Sequence, residues 1–357
     1  MVNQNGQTPS RRVFGLGIDE KVQWVVADVT SAVAAASDRF ESDTFDIDIA
    51  GPSPTPRDLE AEIRRHLEQL KGKRPALFRD IQGLGVSTIG VVNQIPRRLR
   101  SIARKNWIRG KDAGKLSFLI DFSNLFRGLF SADVVSLLEV QNDVTAKALV
   151  EYHLSNVVYS TTSEVERLLF LSFGEGVNGG IISKSAPLSS LLHPEMGHIT
   201  PRPHPLDLHF IDGGKSCPAH EFCFEAVASG ARIRQSWGGP NYPIDFNISD
   251  LPDEHVAWQI IPQYIAQLCM IGTLILAPKR LVVGGCVISG REGDKDSLRR
   301  NLRRLLPRIR HEFAHLNNNY LFYDEMRSGD FIQTARVPGG CNPPVRAALR
   351  GGGGLGW

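Results

Sequence analysis

The sequence predicts an α/β protein of two domains, or of one large two-lobed domain, and three observations support this. The chain has 357 residues, and at about 150 residues per domain this length favours two domains. Short runs of apolar and β-branched residues alternate with segments whose apolar residues recur at helical spacing, which is the pattern of an α/β fold. Hydrophobic residues make up 42% and charged residues 22% of the chain, a globular composition that excludes a fibrous or disordered protein.

Charge and cysteine content exclude further classes of protein. With 41 basic and 38 acidic side chains the net charge is +3, so the whole chain is not built to bind a polyanion. Five cysteines are too few and too irregularly spaced for a disulfide scaffold. We find no apolar run near the ~18 residues of a membrane span and no apolar signal-peptide core. A cytoplasmic protein without membrane contact is therefore expected.

The first elements follow from the pattern of apolar residues. Residues 1–12 are polar and predict a flexible N-terminus. Residues 13–19 and 23–30 are rich in β-branched residues on either side of a short turn, which predicts a β-hairpin. Thr55 and Pro56 form an N-cap and first-turn pair. Leucine and isoleucine residues at helical spacing extend this helix to Gly72.

The rest of the chain completes two lobes. Apolar runs predict strands at 84–92, 117–121, 136–140, 168–173 and 280–283. Helices are predicted after Asn142, at 254–276 and along a stripe from Leu298 to Phe313. We assign 13–140 to an N-terminal lobe, 141–335 to a C-terminal lobe that contains a His- and Cys-rich loop at 193–225, and 336–357 to a flexible Pro/Gly-rich tail.

The His- and Cys-rich loop has the spacing of a metal site. Its core is Cys217-Pro-Ala-His220-Glu-Phe-Cys223, and His198 lies nineteen positions before Cys217. Two thiolates and two imidazoles are the ligand set of a closed, tetrahedral zinc site. The alternative is four unconnected residues in a His-rich loop. A site filled by four protein ligands would be structural and not hydrolytic.

Several motifs together resemble the ROK family (repressors, open reading frames and sugar kinases). The specific ones are His193-Pro-Glu195-Met-Gly-His198, the Cys/His loop, and Glu225 two positions after its last cysteine. The Cys-Pro-x-His-x-x-Cys form is most similar to the bacterial fructokinase branch. Weaker agreements occur in the family's order along the chain. They are Asn142-Asp143 before a helix, the glycines of 174–180 after a strand, and Gly284-Gly285 after another strand.

The resemblance implies a fold and a set of sugar-binding residues. The fold is the two-lobed actin-like ATPase (ribonuclease H-like) fold, with a mixed sheet flanked by helices in each lobe and a zinc-ordered loop. Asp143 matches the general base that takes the proton of the sugar hydroxyl, and Asn142 binds neighbouring hydroxyls. Glu195 and Glu225 match sugar-hydroxyl acceptors, and His198 matches a residue that ligates zinc and touches the sugar. Taken alone, Asp143 is equally consistent with a helix N-cap.

The resemblance also implies nucleotide-binding residues and cofactors. The cofactors are structural Zn²⁺, and ATP with Mg²⁺ if the protein is an active kinase; the ligand is a small sugar, and a homodimer is implied. The positions matching the family's phosphate loops are Gly17, Asp19, Lys21, Gly174, Gly176, Gly179, Gly180, Gly284 and Gly285.

Both phosphate loops depart from the family pattern. The first usually reads Gly-Ile-Asp-x-Gly-Gly-Thr-Lys, and here Lys21 and Val22 replace the two glycines. Glycine lets backbone donors approach phosphate closely, so a side chain at either position is expected to fill the pocket. In the second loop, Glu175 stands at a Thr position and Asn178 at a Gly position. A carboxylate beside a polyphosphate weakens binding unless a cation intervenes.

Three functions remain open from the sequence. The first is a hexose kinase, supported by the complete set of sugar residues. The second is a sugar-binding pseudokinase or regulator, supported by the altered phosphate loops. The third is a zinc-stabilised interaction protein. Only 12 residues precede Val13, so no helix-turn-helix domain is expected. The basic segments 97–115 and 299–310 are either solvated faces or anion contacts, and nucleic acid is not expected because interleaved aromatics are missing.

Overall fold

The computed structural model describes the parts of the chain that carry most of the motifs. They are residues 11–18, 22–29, 40–45, 56–88, 91–93, 98–102, 117–158, 164–188, 193–207, 217, 220–239, 246–291, 293–327 and 329–336. Asp19 and Lys21 lie outside these residues, as do almost all of the predicted flexible N-terminus and tail and most of segment 97–115.

By its contacts the chain forms two compact units. The first contains Met1–Ser160, Ser189–His193 and Pro344–Trp357, and the second contains Thr161–Leu188 and Pro194–Pro343. Residues 141–160, which the sequence assigns to the C-terminal lobe, are grouped with the first unit, because the strand that ends at Asn142 belongs to its sheet.

The first unit is built on a five-stranded mixed sheet. Its strands are β1 (Arg11–Ile18), β2 (Val22–Val29), β3 (Phe40–Phe45), β4 (Ile81–Thr88) and β8 (Leu138–Asn142). They lie in the order β3-β2-β1-β4-β8, in which β2 runs antiparallel to its neighbours β1 and β3, and β1, β4 and β8 are parallel. The predicted β1–β2 hairpin is confirmed, and Gly17 pairs with Gln23 across it.

Helices and a smaller sheet complete the first unit. They are α1 (Pro56–Lys73), a 3-10 turn (Pro75–Phe78), α2 (Phe122–Phe126), α3 (Ala132–Ser136), α4 (Asp143–His153), a π turn (Leu154–Val158), and an antiparallel sheet of β5 (Val91–Asn93), β6 (Arg98–Ile102) and β7 (Ser117–Asp121). The helix predicted from Thr55 is confirmed as α1, and its leucine and isoleucine stripe is buried in the core with Phe14 and Leu84.

Two strands were predicted with wrong bounds. The run at 84–92 is two strands, β4 and β5, in different sheets. The run at 136–140 begins in a helix, because the Ser131 hydroxyl accepts a hydrogen bond from the Val134 amide and caps α3, and β8 starts only at Leu138. An apolar run does not by itself fix where a strand begins.

The second unit repeats the sheet of the first. Its strands are β9 (Arg167–Phe173), β10 (Val177–Ser183), β11 (Ala186–Pro187), β12 (Arg280–Gly284) and β13 (Ile332–Thr334). They lie in the order β11-β10-β9-β12-β13, in which β10 runs antiparallel to its neighbours β9 and β11, and β9, β12 and β13 are parallel. Each unit therefore has the same succession of strand directions, a structural repeat that sequence identity does not reveal.

The second unit carries its own helices around this sheet. They are a 3-10 turn (Met196–His198), α5 (Phe224–Ala228), α6 (Gly230–Ile233), a π turn (Arg234–Gly238), a 3-10 turn (Ile248–Asp250), α7 (Ala257–Leu276), α8 (Cys286–Ser289), α9 (Lys295–Asn317) and α10 (Asp324–Arg327). The core lies between the sheet and the long helices α7 and α9, where Trp258, Ile261 and Phe313 are buried.

Helix α7 is long and apolar enough to cross a membrane, contrary to the expectation that no run approaches that length. Most of it is buried inside the second unit. Leu268, which the sequence places on one apolar face with Ile275, is fully buried, whereas Ile275 at the end of the helix is 70% exposed. A buried core helix of a globular unit can be as long and as apolar as a membrane-spanning helix.

The basic segment 299–310 lies on α9 and is held by contacts within the unit. Arg300 and Arg304 both pair with Asp253. Arg308 and Arg310 donate to backbone carbonyls of neighbouring segments. These contacts brace the loop before α7 and the strand β13, so most of the charge of this segment is satisfied by the fold itself.

Candidate functional site

In the second unit, the turn that carries Glu195 and His198 packs against strand β10. Met196–His198 forms a single 3-10 turn. A Cβ at Gly197 would lie 1.6 Å from the Val177 carbonyl oxygen, and one at Gly179 would lie 2.6 Å from the Met196 sulfur. Gly197 tolerates no side chain, because the clash is with backbone. At Gly179, which the resemblance assigns to nucleotide binding, a side chain would displace Met196, so this glycine packs against the turn of Glu195 and His198.

The four predicted metal ligands come together beside this turn. The donor atoms of His198, Cys217, His220 and Cys223 all lie within 4.8 Å of one another. His198 Nδ1 lies 3.7 Å from Cys217 Sγ, 3.8 Å from Cys223 Sγ and 3.2 Å from His220 Nδ1. A tetrahedron with zinc bond lengths has S–N edges of about 3.6 Å and N–N edges of about 3.4 Å. The cluster therefore has the size and donor set of a closed zinc site.

Cys223 would need a compensating positive charge to ligate a metal as a thiolate. Burial raises the pKa of the Cys223 thiol to about 12, and the neighbouring Cys217 and Glu225 act in the same direction. A thiolate in this position is costly unless a positive charge compensates it. A divalent ion coordinated by the thiolates supplies that charge and deprotonates a coordinating thiol outright.

Glu225 is held by the metal loop and by β10. It lies in the first turn of α5, directly after Cys223 and Phe224, and the Phe224 amide donates to the Ile199 carbonyl at 3.1 Å. Glu225 Oε2 accepts from the Val177 amide at 3.2 Å. A Cβ at Gly176 would lie 2.5 Å from the same oxygen. The glycine therefore leaves room for this carboxylate.

Glu195 lies on the other side of the start of β10. Its Oε2 atom accepts a hydrogen bond from Asn178 Nδ2 at 3.2 Å and lies 3.9 Å from His198 Nε2. The other ring nitrogen of His198 faces the metal-ligand cluster. The structure thus brings Glu195, His198 and Glu225 together around the Val177 end of one strand, as the resemblance implies.

The second glycine loop connects β9 to β10 and is closed by an ion pair. Gly174 donates to the Gly176 carbonyl at 2.9 Å and accepts from the Gly230 amide at 2.6 Å. The Glu175 carboxylate is bound by both terminal nitrogens of Arg234. A cation therefore does intervene at the carboxylate of this loop, and it is an arginine that the sequence motifs did not single out.

Gly285 packs against the same loop from the end of β12. Its φ is +92°, in the region that favours glycine. A Cβ there would lie 2.4 Å from the Phe173 carbonyl carbon and 2.7 Å from the Gly174 amide nitrogen. The close approach of two backbone segments explains this glycine independently of any ligand. The structure thus places Gly174, Gly176 and Gly285 around one turn.

In the first unit, Asn142 and Asp143 join β8 to α4. Asn142 Oδ1 accepts from the Val144 amide at 2.9 Å, so Asn142 is the N-cap of α4. Asp143 is therefore not the cap. Its Oδ2 atom accepts instead from Lys147 Nζ at 2.8 Å, one helical turn later, and both side chains are largely buried. Lys147 was missed at the sequence level, although a spacing of four in a helix brings two side chains together.

The first phosphate loop is described only at its edges. Gly17 is buried on β1, and Val22 pairs with Ile18 across the hairpin. Val22 is fully buried in the core of the unit with Trp24. Valine at this position therefore serves the core of the first unit. Gly180 and Gly284 are buried strand residues of the second unit.

A buried ion pair ties the segment after the metal motif to the core of the second unit. Arg232 donates to Asp207 Oδ1 at 2.7 Å, and both side chains are about 1–2% exposed. The Tyr264 hydroxyl donates to Asp207 Oδ2 at 3.0 Å. Burial lowers the pKa of Arg232, and the Asp207 carboxylate opposes this. The pair connects α6, α7 and the chain that leads from His198 to Cys217.

Asp207→Asn is expected to destabilise the protein by about 3–5 kcal/mol, because it leaves the Arg232 charge buried without a counter-charge. The measurement is the free energy of unfolding in urea. Asp296→Asn is the matched control, since the pair of Asp296 with Arg299 is exposed and is worth at most about 1 kcal/mol. Equal free energies of unfolding of the two variants would contradict a stabilising role of the buried Asp207–Arg232 pair.

Comparisons with known proteins agree with this architecture. The fold is shared with a ROK hexokinase from Thermus thermophilus, with a TM-score of 0.62 and 18% identity over 95% of this chain and 97% of that one. It is also shared with a ROK family transcriptional regulator, a homologue of the Escherichia coli MLC protein, with a TM-score of 0.65 and 15% identity over 96% and 78%. The two repeated α/β sheets are thus those of the actin-like ATPase fold, as predicted.

Comparison of the sequence with protein families identifies the family to which the chain belongs. A family model of the ROK family matches residues 41–316, and the chain belongs to this family. A fructokinase of Zymomonas mobilis is 28% identical over 202 residues, which cover 57% of each chain. A fructokinase of Pediococcus pentosaceus is 30% identical over 157 residues, which cover 44% of this chain and 46% of that one. The chain spans about half the length of these curated relatives.

Proposed function

We propose that this protein is a sugar kinase that transfers the γ-phosphoryl group of ATP to a hydroxyl group of a hexose, in the manner of a fructokinase. The observation that carries the proposal is the cluster of Glu195, His198 and Glu225 around the start of β10. Two carboxylates beside a metal-ligand cluster supply oriented acceptors for sugar hydroxyls, and the Nε2–H group of His198 supplies a donor.

Asp143 is the proposed general base. Its carboxylate takes the proton from the attacking sugar hydroxyl while the new O–P bond forms and the bond to the β-phosphate oxygen breaks, which releases ADP and a sugar phosphate. Asn142, which fixes the start of α4, is proposed to bind neighbouring hydroxyls. Lys147 holds one Asp143 oxygen and so restricts the orientation of the base.

His198, Cys217, His220 and Cys223 are the proposed ligands of one zinc ion. With four protein ligands the ion supplies charge compensation and rigidity, and no coordination position is left for a reacting water. It would fix the loop that carries Glu225 and the imidazole of His198. Mg²⁺ is proposed to accompany ATP, as phosphoryl transfer requires. A homodimer and a cytoplasmic location remain proposals by analogy with the family.

The kinase is tested by titrating the protein calorimetrically with a panel of hexoses and with ATP-Mg, and then by measuring hexose-dependent release of ADP. Binding of a hexose together with release of ADP supports the proposal. Binding of a hexose without release of ADP at any ATP concentration would identify a sugar-binding pseudokinase. Failure to bind any hexose would leave a zinc-stabilised interaction protein as the better description.

ATP is expected to bind with millimolar affinity, about −4 kcal/mol, and Glu175→Thr is expected to strengthen it by about tenfold or more. The substitution removes a negative charge from the glycine loop and leaves Arg234 to meet phosphate. Calorimetric titration with ATP-Mg in the absence of sugar measures the change.

Arg234→Met is the complementary control, because it leaves the Glu175 carboxylate without its cation and should weaken binding of ATP further. Since the two side chains are in contact, the double variant should differ from the sum of the single effects. Micromolar ATP binding by the unaltered protein would contradict the idea that this loop is impaired.

A further inference from the structure

Asn178 makes a contact that the altered glycine loop does not explain. It is the second residue of β10 and stands where the family's loop has glycine. Its side chain is half-buried and makes two hydrogen bonds. Asn178 Oδ1 accepts from the Gly179 amide at 2.7 Å, and Nδ2 donates to Glu195 Oε2 at 3.2 Å.

These two partners fix the orientation of the amide group. The Gly179 amide is only a donor and the Glu195 carboxylate is only an acceptor. The reversed amide would place its NH₂ group against an N–H and its oxygen against a carboxylate, so both contacts would become repulsive. The backbone of β10 therefore aims the Asn178 donor at one oxygen of Glu195.

The same carboxylate oxygen lies beside the edge of the His198 ring that points away from the metal-ligand cluster. Glu195 Oε2 lies 3.9 Å from His198 Nε2, and His198 Nδ1 lies among the thiols and the imidazole of the other three ligands. The Oε2–Nε2 separation is longer than a hydrogen bond, so the carboxylate lies beside the ring and does not by itself fix its orientation. Asn178, by contrast, is within hydrogen-bond distance of this carboxylate.

The hydrogen bond from Asn178 restricts the Glu195 side chain, which is partly open to solvent. The Glu195 side chain is 36% exposed, and a glutamate side chain loses up to about 2 kcal/mol of rotamer entropy when it is fixed. The neighbouring Met196 and Gly197 are held by packing against Gly179 and Val177. Packing thus fixes the backbone beside Glu195, and the Asn178 amide is positioned to fix its carboxylate.

We propose that Asn178 is a positioning residue for sugar recognition, which holds the Glu195 carboxylate in the orientation that accepts the sugar hydroxyl. This inference rests on the proposed function, because it assigns to Glu195 the binding of sugar. In the family, this position is a glycine of the phosphate loop. In this protein, Asn178 would instead serve binding of the sugar.

Asn178→Asp and Asn178→Ala separate the two hydrogen bonds. Aspartate keeps an acceptor for the Gly179 amide but replaces the donor by a carboxylate oxygen that faces Glu195. Alanine removes both contacts without adding a charge. If Asn178 acts through Glu195, the Kd for the hexose that binds the unaltered protein should rise at least about tenfold in Asn178→Asp and by less in Asn178→Ala.

A role confined to anchoring the Gly179 amide gives the opposite order, because Asn178→Asp keeps that anchor. Ser183→Ala, at the far end of β10, is the matched control and should change the Kd by less than about twofold. Zinc content and thermal unfolding of each variant show whether the fold is kept. Loss of folding in Asn178→Ala would still leave Asn178→Asp to be compared with the unaltered protein.

The outcomes are distinct. A larger loss in Asn178→Asp than in Asn178→Ala, or a loss in Asn178→Asp alone where Asn178→Ala does not fold, supports the inference. An Asn178→Asp protein that binds hexose like the unaltered protein, or more tightly than Asn178→Ala, overturns the inference and leaves the sugar kinase standing. Absence of hexose binding by the unaltered protein overturns the proposed function and this inference with it.

Discussion

Asp143→Asn is expected to abolish hexose-dependent release of ADP while hexose affinity stays within a few-fold. The amide keeps the shape and most of the hydrogen bonding of the carboxylate but cannot accept the proton of the attacking hydroxyl. Because Asn142 caps α4, the substitution leaves the cap intact. The substitution also breaks the largely buried ion pair with Lys147, so the free energy of unfolding of the variant is measured alongside. Steady-state ADP release at saturating hexose is the measurement.

Lys147→Gln is the matched control for this prediction. Both Asp143→Asn and Lys147→Gln remove the ion pair within α4, but only the first removes the carboxylate. Turnover should therefore persist in Lys147→Gln and disappear in Asp143→Asn. An Asp143→Asn protein that keeps most of the unaltered rate would show that another group accepts the proton, or that the hydroxyl needs no base.

Local patterns in the sequence were sufficient to predict the elements whose residues lie close together along the chain. Helix α1 and the β1–β2 hairpin could be predicted because their apolar residues recur at the period of a helix or a strand. The metal cluster could be predicted because Cys217, His220 and Cys223 lie within one short segment, where spacing alone limits how far their donor atoms can separate. His198 was placed by its motif, and the structure brings it to the same point.

Contacts between distant segments could not be read from these patterns. Arg234 lies 59 positions from Glu175, and nothing in either local sequence indicates the other. Asp207 and Arg232 are 25 positions apart, on segments that only the packing of the second unit brings together. The same holds for Asn178. At the sequence level it was a departure from the glycine pattern, and only the fold shows that its amide reaches Glu195.

The glycines illustrate the same limit in another way. A glycine in a phosphate-loop motif is interpreted as room for a ligand, yet Gly285 is required by its contact with the backbone of Phe173 and Gly174, and Gly179 packs against the Met196 side chain. A glycine in a motif indicates that a side chain does not fit at that position. Only the structure shows which atoms occupy the space. For the same reason Val22, read as a side chain that blocks a phosphate pocket, proves to be a core residue of the first unit.

Cys223→Ser is expected to remove the bound metal and hexose binding together. The unaltered protein should contain one zinc ion per chain. Loss of an outer partner of a metal ligand already weakens binding by about 10–100-fold, and loss of a ligand should weaken it more. Cys223 directly precedes α5, whose first turn carries Glu225. Loss of the proposed metal at Cys223 should therefore also displace Glu225, the proposed sugar-binding carboxylate. Elemental analysis of chelator-free protein and hexose titration measure both effects.

Cys269→Ser separates metal binding from the cost of a buried serine. Cys269 is fully buried on α7, and burial raises the pKa of its thiol well above the usual range. It has no part in the ligand cluster, so its substitution should lower stability by about 1–3 kcal/mol while one zinc ion per chain is retained. If Cys223→Ser also retained zinc and bound hexose normally, the zinc would be bound elsewhere and the four donors would not be its ligands. The position of Glu225 would then not depend on a metal in this cluster.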